Sequence, residues 1–328
     1  MGRTLGCSGI VVSDIGFGCW AIGGQFTMNG KPDGWGEADD DESIAALRRA
    51  LELGITFFDT ADVYGAGHSE EVLGRALGGH RDEVVIATKF GYTFDAGQRA
   101  ITGQDASPGY IRQACRASLR RLGTDRIDLY QLHIGDLPPE QATEVAGTLD
   151  QLVADGLIRA YGWSTDDPRR ATAFADGAYC AAIQHDLNVL TDAPDMLAVC
   201  NTFDMASINR TPLAMGLLTG KYGRASQLPA DDVRAAQPWV DYFTDGRPAP
   251  QWLARLDAIR EILGSGGRTL AQGALCWLLA RSPRTVPIPG TRTVRQAEQN
   301  AAALSQGPMP PMEVTEIAEL LTDAMLLS

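Results

Sequence analysis

Positive charge is scarce in this chain of 328 residues, in which 28 lysines and arginines stand against 41 aspartates and glutamates. The formal net charge is −13 at pH 7. A protein that binds nucleic acid or an anionic membrane by electrostatic attraction needs a broad basic surface, which this composition does not supply. We therefore expect neither partner, and we expect any phosphate-bearing ligand to be held by a few local groups.

Cysteine pairs and long apolar runs are also missing from the sequence. No C-x-x-C motif occurs, which argues against a disulfide framework and favours a reducing compartment. No apolar run is long enough to span a bilayer, and the first six residues lack the apolar core of a signal peptide. These features predict a soluble, cytoplasmic protein. The six cysteines are Cys7, Cys19, Cys115, Cys180, Cys200 and Cys276.

Several motifs that would indicate other chemistry are incomplete. The acidic stretch 33–42 lacks the glycine that a calcium loop needs at its sixth position, and it is better interpreted as a loop before a helix. The Gly-Phe-Gly at 16–18 lacks the third glycine of a dinucleotide fingerprint, and 216–221 is one residue short of a phosphate-binding P-loop motif. His68, His80 and His185 are not spaced with carboxylates as metal ligands are, so we expect no metal.

Short apolar runs alternate with amphipathic stretches along most of the chain. Eight runs predict strands, at 15–20, 56–59, 84–89, 127–133, 160–164, 182–187, 205–210 and 285–289. The amphipathic stretches predict helices at 41–53, 69–77, 108–122, 139–155, 168–176, 269–280 and 294–304. This alternation predicts an α/β fold, namely one (β/α)8 TIM barrel domain over residues 1–328; a doubly wound sheet is the alternative that alternation alone leaves open.

Four additions to the barrel are also predicted. Turn glycines within 5–15 indicate an N-terminal β-hairpin that leads into the first strand. The Gly- and Pro-rich segment 216–250 indicates a long loop after strand 7, over the barrel mouth. Extra helices are expected at 251–263 and 311–321.

Polar side chains lie in or at the carboxyl ends of six consecutive predicted strands. In a (β/α)8 barrel the chemistry takes place at that face, so these residues should meet there. A doubly wound sheet would not need a reactive group on so many successive strands. The six residues are Asp59, Lys89, His133, Ser164, Gln184 and Arg210.

Asp59, Tyr64, Lys89 and His133 together supply what a proton donor near neutral pH requires. An unperturbed tyrosine has a pKa of about 10, and a neighbouring ammonium group favours the ionised phenol. A carboxylate can orient that lysine, and a histidine can hydrogen-bond the group that is protonated. Taken singly, each residue also fits a structural role as an ion pair, a turn residue or a core histidine. Their joint placement on three consecutive strand ends favours catalysis.

The sequence resembles the aldo-keto reductase family, which includes bacterial-type members and relatives of potassium-channel β subunits. The similarity runs in order along nearly the whole chain. It is carried by Asp59-Thr60-Ala61 with Tyr64-Gly65, Ser69-Glu70 with Leu73-Gly74, Thr88-Lys89, Gln131-Leu132-His133, Gly162-Trp163-Ser164, Pro212-Leu213 with Gly216-Leu217-Leu218-Thr219-Gly220-Lys221, and Ile288-Pro289-Gly290 leading to Asn300.

The resemblance implies a role for each of these residues. Tyr64 would be the general acid/base, Asp59 and Lys89 its tuning pair, and His133 the group that orients the substrate carbonyl. The cofactor would be NADP(H), with Ser164 and Gln184 on the nicotinamide carboxamide and the pyrophosphate under the loop 211–221. The other implied cofactor-binding positions are Trp20, Asp59, Arg210, Thr211, Leu213, Gly216, Leu218, Lys221, Gly290, Arg292, Gln296, Gln299 and Asn300.

Two positions depart from the usual family pattern. Arg210 stands where an aromatic residue often stacks on the nicotinamide, and we expect its charge to disfavour the oxidised, cationic ring. Leu187 stands at another position that is often aromatic in the family. This difference weakens any inference from the substrates of the family to the substrate of this chain. Arg292 offers a guanidinium to a 2′-phosphate and favours NADPH over NADH, although it also fits a surface arginine at the start of a helix.

The substrate is less well specified than the reaction. Trp20, Tyr64, Tyr92, His133 and Trp163 are expected to line a pocket for an apolar or sugar-like carbonyl compound, although the aromatic residues fit rim packing equally well. The leading prediction is an NADPH-dependent reductase of an aldehyde or ketone. Alternatives are a reductase of a nucleotide-linked keto sugar or other secondary metabolite, and a cofactor-binding regulatory subunit. A homo-oligomer is compatible with the sequence.

Overall fold

The structure is a computed structural model that describes residues 2–326. Its strands are Gly2–Thr4 (β1), Val11–Ser13 (β2), Phe17–Gly18 (β3), Thr27–Met28 (β4), Lys31–Pro32 (β5), Phe57–Asp59 (β6), Val85–Phe90 (β7), Tyr92–Asp95 (β8), Ala100–Gln104 (β9), Ile127–Leu132 (β10), Ile158–Ser164 (β11), Cys180–Asp186 (β12), Ala206–Arg210 (β13), Phe243–Thr244 (β14), Arg247–Pro248 (β15) and Thr285–Pro287 (β16). Eight of these strands form one parallel sheet in the order β16-β13-β12-β11-β10-β7-β6-β3.

Eleven α-helices accompany these strands within the described residues. Pro108–Leu122 shows why they form where they do: Ser107 caps the first turn, Pro108 follows it, and Gly123 ends the helix in the left-handed region. The helices are Asp40–Glu52 (α1), His68–Leu77 (α2), Pro108–Leu122 (α3), Pro139–Ala154 (α4), Pro168–Ala175 (α5), Pro194–Thr202 (α6), Val233–Ala236 (α7), Pro250–Leu263 (α8), Leu270–Arg281 (α9), Val294–Gln306 (α10) and Pro311–Leu326 (α11).

The sheet closes on itself between its first and last strands. The amide of Gly16 donates to the carbonyl of Pro287 at 2.9 Å, and the amide of Gly18 donates to that of Pro289 at 3.0 Å. Glycine is needed here, because a Cβ on Gly18 would lie 2.7 Å from the carbonyl oxygen of Ile288. The closed parallel sheet with its surrounding helices confirms the predicted (β/α)8 barrel.

The core has separate layers inside and outside the barrel wall. The interior is filled by apolar side chains such as Phe57, Leu129 and Ile208, and the hairpin of β1 and β2 adds Leu5 and Val12 to the same cluster. The outer layers pack between the strands and the helices. Alternate residues of a strand face opposite sides of the sheet. A polar residue at the carboxyl end of a strand therefore faces the barrel mouth only if it is on the side that faces the barrel interior.

Every barrel strand predicted from the sequence is present, with ends within two residues of the predicted ones. The N-terminal hairpin begins earlier than expected, at β1, and the last helix is longer. Two features were missed: helix α6, and a four-stranded sheet in the order β5-β4-β9-β8. The segment 216–250 is not a plain loop, because it contains α7 and the hairpin β14–β15.

Candidate active site

Lys89 is the centre of the polar group at the barrel mouth. Its Nζ donates to Asp59 Oδ1 at 2.6 Å, to the carbonyl of Thr60 at 2.9 Å and to Tyr64 Oη at 3.1 Å. The Lys89 side chain is 0% exposed, so these three bonds replace its hydration. The ammonium group is therefore fixed between a carboxylate and a phenol, on the adjacent strands β6 and β7 and the loop that follows β6.

Two amides fix the other oxygen of Asp59. Gln131 Nε2 donates to Asp59 Oδ2 at 3.0 Å, and Gln184 Nε2 donates to it at 2.8 Å. With Lys89 on Oδ1, both carboxylate oxygens are engaged and the side chain is held in one orientation. Gln184 thus lies at the mouth as predicted, with its amide nitrogen bound to Asp59.

The pKa values in this group follow from burial and from the ion pair. Burial raises the pKa of Tyr64 and the ammonium of Lys89 lowers it, with a net shift above the ordinary value. The lysine therefore acts in the expected direction, although burial is the larger effect. Burial lowers the pKa of Lys89, but Asp59 and Tyr64 outweigh it and raise the pKa overall. The raised pKa values favour the ammonium form of Lys89 and the neutral phenol of Tyr64.

His133 lies beside this group with a neutral ring. Its imidazole is edge-on to Tyr64, with ring centroids 5.8 Å apart, and edge-on to Tyr92 at 5.3 Å. Burial lowers the pKa of His133 well below its ordinary range, and the charges of Lys89 and Arg210 lower it further. Its Nδ1 atom is buried and has no hydrogen-bond partner among residues 2–326. A neutral imidazole has one N–H that can donate to a carbonyl oxygen or a hydroxyl group and one nitrogen that can accept from a hydroxyl group.

Tyr64 lies on a loop with an unusual backbone, residues 60–69, which we call the catalytic loop. Three successive residues after Tyr64 lie in the left-handed region: Gly65 at φ 61°, Ala66 at φ 57° and Gly67 at φ 102°. A Cβ on Gly65 would lie 2.0 Å from the carbonyl oxygen of Gly23, so the backbones touch there. A hydrogen bond of 2.8 Å between the hydroxyls of Thr60 and Ser69 joins the two ends of the loop.

Aromatic rings form one wall of the mouth. Trp20 stacks on Tyr64 at 5.9 Å with 23° between the planes, and on Trp239 at 6.1 Å with 21°. Tyr92 lies on the other side, against His133. Trp163, predicted to line the pocket, does not. It is fully buried in the outer core against Phe174, because the alternation of β11 turns it away from the side that Ser164 faces.

Arg210 lies at the opposite wall and is held by two carboxylates. It pairs with Asp166, and its Nε is 3.4 Å from Asp186 Oδ1. Thr211 donates its hydroxyl to the same oxygen of Asp186 at 3.0 Å. The positive charge of Arg210 is therefore offset locally. Leu187, the second unusual position, is fully buried in the outer core.

The segment 211–220, which we call the cofactor loop, also has an unusual backbone. Thr211 has φ 50°, and the three successive residues Ala214, Met215 and Gly216 have φ 47°, 54° and 93°. The loop is closed by its own hydrogen bonds, because the amides of Ala214 and Gly216 donate to the carbonyls of Thr211 and Leu213, both at 2.9 Å. Two other residues implied for the cofactor, Leu213 and Leu218, belong to this loop and are buried, whereas Lys221 follows the loop and is exposed.

The residues implied for the adenine end also lie close together. Asn300 is buried and donates to the hydroxyl of Thr291 at 2.9 Å, next to Gly290. Arg292 donates through one Nη to the carbonyl of Trp35 at 2.9 Å. The Gln296 side chain accepts the amides of Arg292 and Thr293, so it caps α10. Gln299 is partly buried on the same helix.

Arg234 was missed by the sequence analysis, and it ties the lid, residues 221–250, to the rest of the mouth. Its guanidinium donates to both oxygens of Asp232 and to the carbonyl of Met215, at 3.0 Å. The rings of Trp35, Tyr222 and Phe243 surround it, with centroids 4.7, 4.9 and 5.3 Å from its Cζ. An Asp-x-Arg within a lid is a signal that could have indicated a bidentate pair.

Two classes of site find no support in the part of the chain that the structure describes. No group of three or more histidine, cysteine, aspartate or glutamate side chains is arranged to hold a metal ion. Across residues 2–326, no helix combines the length and apolar character needed to cross a membrane. All six cysteines, which lie in this range, are free.

Comparison with known proteins identifies the family to which the chain is similar. The sequence model of the aldo/keto reductase family matches residues 14–322. The chain is 35% identical over 313 residues to a chloroplastic pyridoxal reductase of Arabidopsis thaliana, in an alignment that covers 89% of this chain and 79% of the relative.

Two solved structures show the same similarity in three dimensions. A glycerol dehydrogenase of Gluconobacter oxydans superposes with a TM-score of 0.83 at 30% identity, over 98% of this chain and 95% of that one. An aldo/keto reductase of Klebsiella pneumoniae, solved in complex with NADP and acetate, superposes with a TM-score of 0.71 at 28% identity, over 98% and 95% of the two chains.

Proposed function

Because the chain belongs to the aldo/keto reductase family, we propose that it reduces an aldehyde or ketone to the alcohol with NADPH, and that Tyr64 is the general acid. One observation carries the assignment of Tyr64: the buried ammonium of Lys89 bridges the Asp59 carboxylate and the Tyr64 hydroxyl at the barrel mouth. A cofactor-binding regulatory role would not require this arrangement. The single-domain organisation, the cytoplasmic location and a homo-oligomer stay predictions.

Each residue of the group has one task in the proposed reaction. NADPH, when bound, supplies the hydride that adds to the carbonyl carbon. The Tyr64 hydroxyl gives its proton to the carbonyl oxygen as negative charge develops there. Lys89 stabilises the resulting phenolate, and Asp59 holds Lys89 in place. His133, neutral and with an unpaired ring nitrogen among the described residues, hydrogen-bonds the carbonyl oxygen and orients it.

The residues around the mouth fit NADP(H). The family resemblance implies that the pyrophosphate lies under the cofactor loop, and Lys221, which follows this loop and is exposed, offers a positive charge there. Arg292 makes one side-chain hydrogen bond within residues 2–326, through a single Nη, so its other N–H groups can meet a 2′-phosphate. Gln184 and Ser164 lie at the strand ends where the nicotinamide carboxamide would bind. NADP bound to the Klebsiella enzyme supports the same cofactor here.

Steady-state turnover and cofactor affinity test this proposal together. NADPH absorbance would be followed with a panel of aromatic aldehydes, pyridoxal, diketones and sugar aldehydes, while fluorescence titrations compare NADPH with NADH. We expect turnover of at least one carbonyl compound and tighter binding of NADPH. The Arg292→Met variant should lose most of the preference for NADPH, whereas Arg295→Met, an exposed neighbour on α10, should keep it.

Two results would contradict the proposal. Equal affinity for NADPH and NADH would remove Arg292 from the phosphate site. Tight NADPH binding without reduction of any carbonyl in the panel would favour a cofactor-sensing role over catalysis.

A further inference from the structure

A buried carboxylate on a residue that contacts the aromatic wall is not used by the proposed reaction. Asp33, just after β5, is 8% exposed, and its Oδ1 atom is buried without a hydrogen-bond partner in the residues that the structure describes. No lysine or arginine forms an ion pair with it there. An unpaired buried carboxylate costs free energy, and burial raises the pKa of Asp33 to about 7.

Asp33 adjoins the aromatic wall directly. Its carbonyl accepts the indole N–H of Trp20 at 3.1 Å, and Trp20 is the ring that stacks on Tyr64. The charge of Asp33 also acts on Tyr92. Burial raises the pKa of the Tyr92 phenol most, a hydrogen bond with Gln104 lowers it, and the charges of Asp136 and Asp33 raise it further. Asp33 is therefore next to Trp20 and within electrostatic range of Tyr92.

The stacked rings leave one large aromatic face free. Trp239 is 46% exposed, although it lies in parallel with Trp20 at 6.1 Å. Parallel rings beside a reaction centre provide a flat apolar surface for a planar ring. At the far wall, Arg210 is already paired with Asp166 and Asp186, so it offers little attraction to a carboxylate on the substrate.

We propose, on the basis of the proposed reductase function, that the preferred substrates are planar aromatic carbonyl compounds that carry a cationic group, which Asp33 accepts. A substrate carboxylate would meet Asp33 and the paired Arg210, and would be disfavoured. Asp33 is thus a specificity-determining residue, and it takes no part in proton or hydride transfer.

Three benzaldehydes, one neutral and two of similar size with opposite charges, test the charge preference. They are benzaldehyde itself, 4-carboxybenzaldehyde and 4-(dimethylaminomethyl)benzaldehyde, assayed for kcat/KM with NADPH. We expect the cationic aldehyde to exceed the anionic one by at least about tenfold. Asp33→Asn should reduce this ratio to about threefold or less and leave benzaldehyde reduction nearly unchanged. Asp195→Asn removes the same charge from an exposed position on α6 and should keep the wild-type ratio.

The outcomes separate this inference from the reductase function. Turnover of benzaldehyde with no preference for the cationic aldehyde, or an unchanged ratio in Asp33→Asn, would overturn the role of Asp33 and leave the reductase function intact. If no aldehyde is reduced, quenching of tryptophan fluorescence by the three matching alcohols gives the ratio of the Kd values of the cationic and anionic compounds, which tests the charge preference from binding alone. If Asp33→Asn does not fold, equal wild-type efficiency with the two charged aldehydes overturns the proposal.

Discussion

The catalytic loop and the cofactor loop have the same unusual backbone but are held in different ways. Each follows a barrel strand and places three successive residues in the left-handed region, 65–67 in the first loop and 214–216 in the second. The catalytic loop is held by backbone contacts, such as Gly65 against Gly23. The cofactor loop has two non-glycine residues in this strained conformation, Ala214 and Met215, where the catalytic loop has only Ala66, and a side chain of the lid holds it in addition to its own backbone hydrogen bonds.

Because of this difference, we expect the catalytic loop to keep its conformation and the cofactor loop to be released more easily. Backbone packing cannot be undone without local unfolding, so Tyr64 keeps its position relative to Lys89. The hydrogen bond from Arg234 to the carbonyl of Met215 can be broken by a side-chain rotation and movement of the lid. We infer that the proposed reacting groups are preorganised, whereas the cofactor loop can be released by the side chain of Arg234.

We expect the largest effect on activity when the hydroxyl of Tyr64 in the catalytic loop is removed. Tyr64→Phe keeps the ring that stacks on Trp20 and removes only the hydroxyl, so we expect kcat to fall by about 10³-fold while NADPH affinity is unchanged. Single-turnover kinetics and a fluorescence titration measure the two quantities. The matched variant Tyr179→Phe, at a ring 46% exposed on the surface, should keep wild-type kcat. Near-normal turnover by Tyr64→Phe would exclude the hydroxyl as the acid.

Gly65→Ala tests whether backbone contact fixes the catalytic loop. The new Cβ would collide with the carbonyl of Gly23 in a residue at φ 61°, and we expect the free energy of unfolding to fall by about 3 kcal/mol. Gly266→Ala is the control, because Gly266 has φ 63° and a Cβ added there would meet no atom within 4 Å. It should lose about 1 kcal/mol from the backbone strain alone. Equal losses in urea unfolding would show that the contact with Gly23 is unimportant.

Arg234→Met tests the side chain that holds the cofactor loop. The substitution keeps an apolar stem among the three rings and removes the hydrogen bonds to Met215 and Asp232. We expect the Kd for NADPH to rise about tenfold, mostly through faster dissociation, with kcat changed only a fewfold. Arg255→Met is the control, because Arg255 also lies over one ring, that of Trp252. An unchanged NADPH dissociation rate in stopped-flow fluorescence would contradict this role.

The smallest effect is expected at Arg210. Its charge alone would disfavour the oxidised nicotinamide, but Asp166 and Asp186 offset that charge. We therefore expect Arg210→Tyr to change the ratio of the affinities for NADPH and NADP+ by about threefold or less. Fluorescence titrations with both forms of the cofactor measure the ratio. A change of about tenfold or more would mean that the carboxylates do not offset the guanidinium, whereas an unchanged ratio would show that it has no effect on the ring.

The barrel and the Asp59, Tyr64, Lys89 and His133 group could be predicted because both depend on local patterns. Strand β10 is a continuous buried run, and its carboxyl end leads into His133. The expectation that Trp163 lines the pocket did not take strand alternation into account. Residues 163 and 164 face opposite sides of β11, so they could not both face the mouth.

Features that depend on distant pairing could not be predicted in this way. The sheet of β4, β5, β8 and β9 is built from strands of two to five residues that meet across a wide gap in sequence. Helix α6 is short and carries little amphipathic pattern, so it gave no signal. Arg234 and Asp33 lie in segments without regular periodicity, and their importance is evident only from the groups around them.

The closure of the barrel has a consequence for how the protein is made. The bridge between Gly18 and Gly290 joins residues 272 positions apart. During synthesis the first strand must wait with an unpaired edge until almost the whole chain has been produced. Folding should therefore finish with this closure as a late, slow step, and chains that stop before residue 285 should expose two strand edges and aggregate.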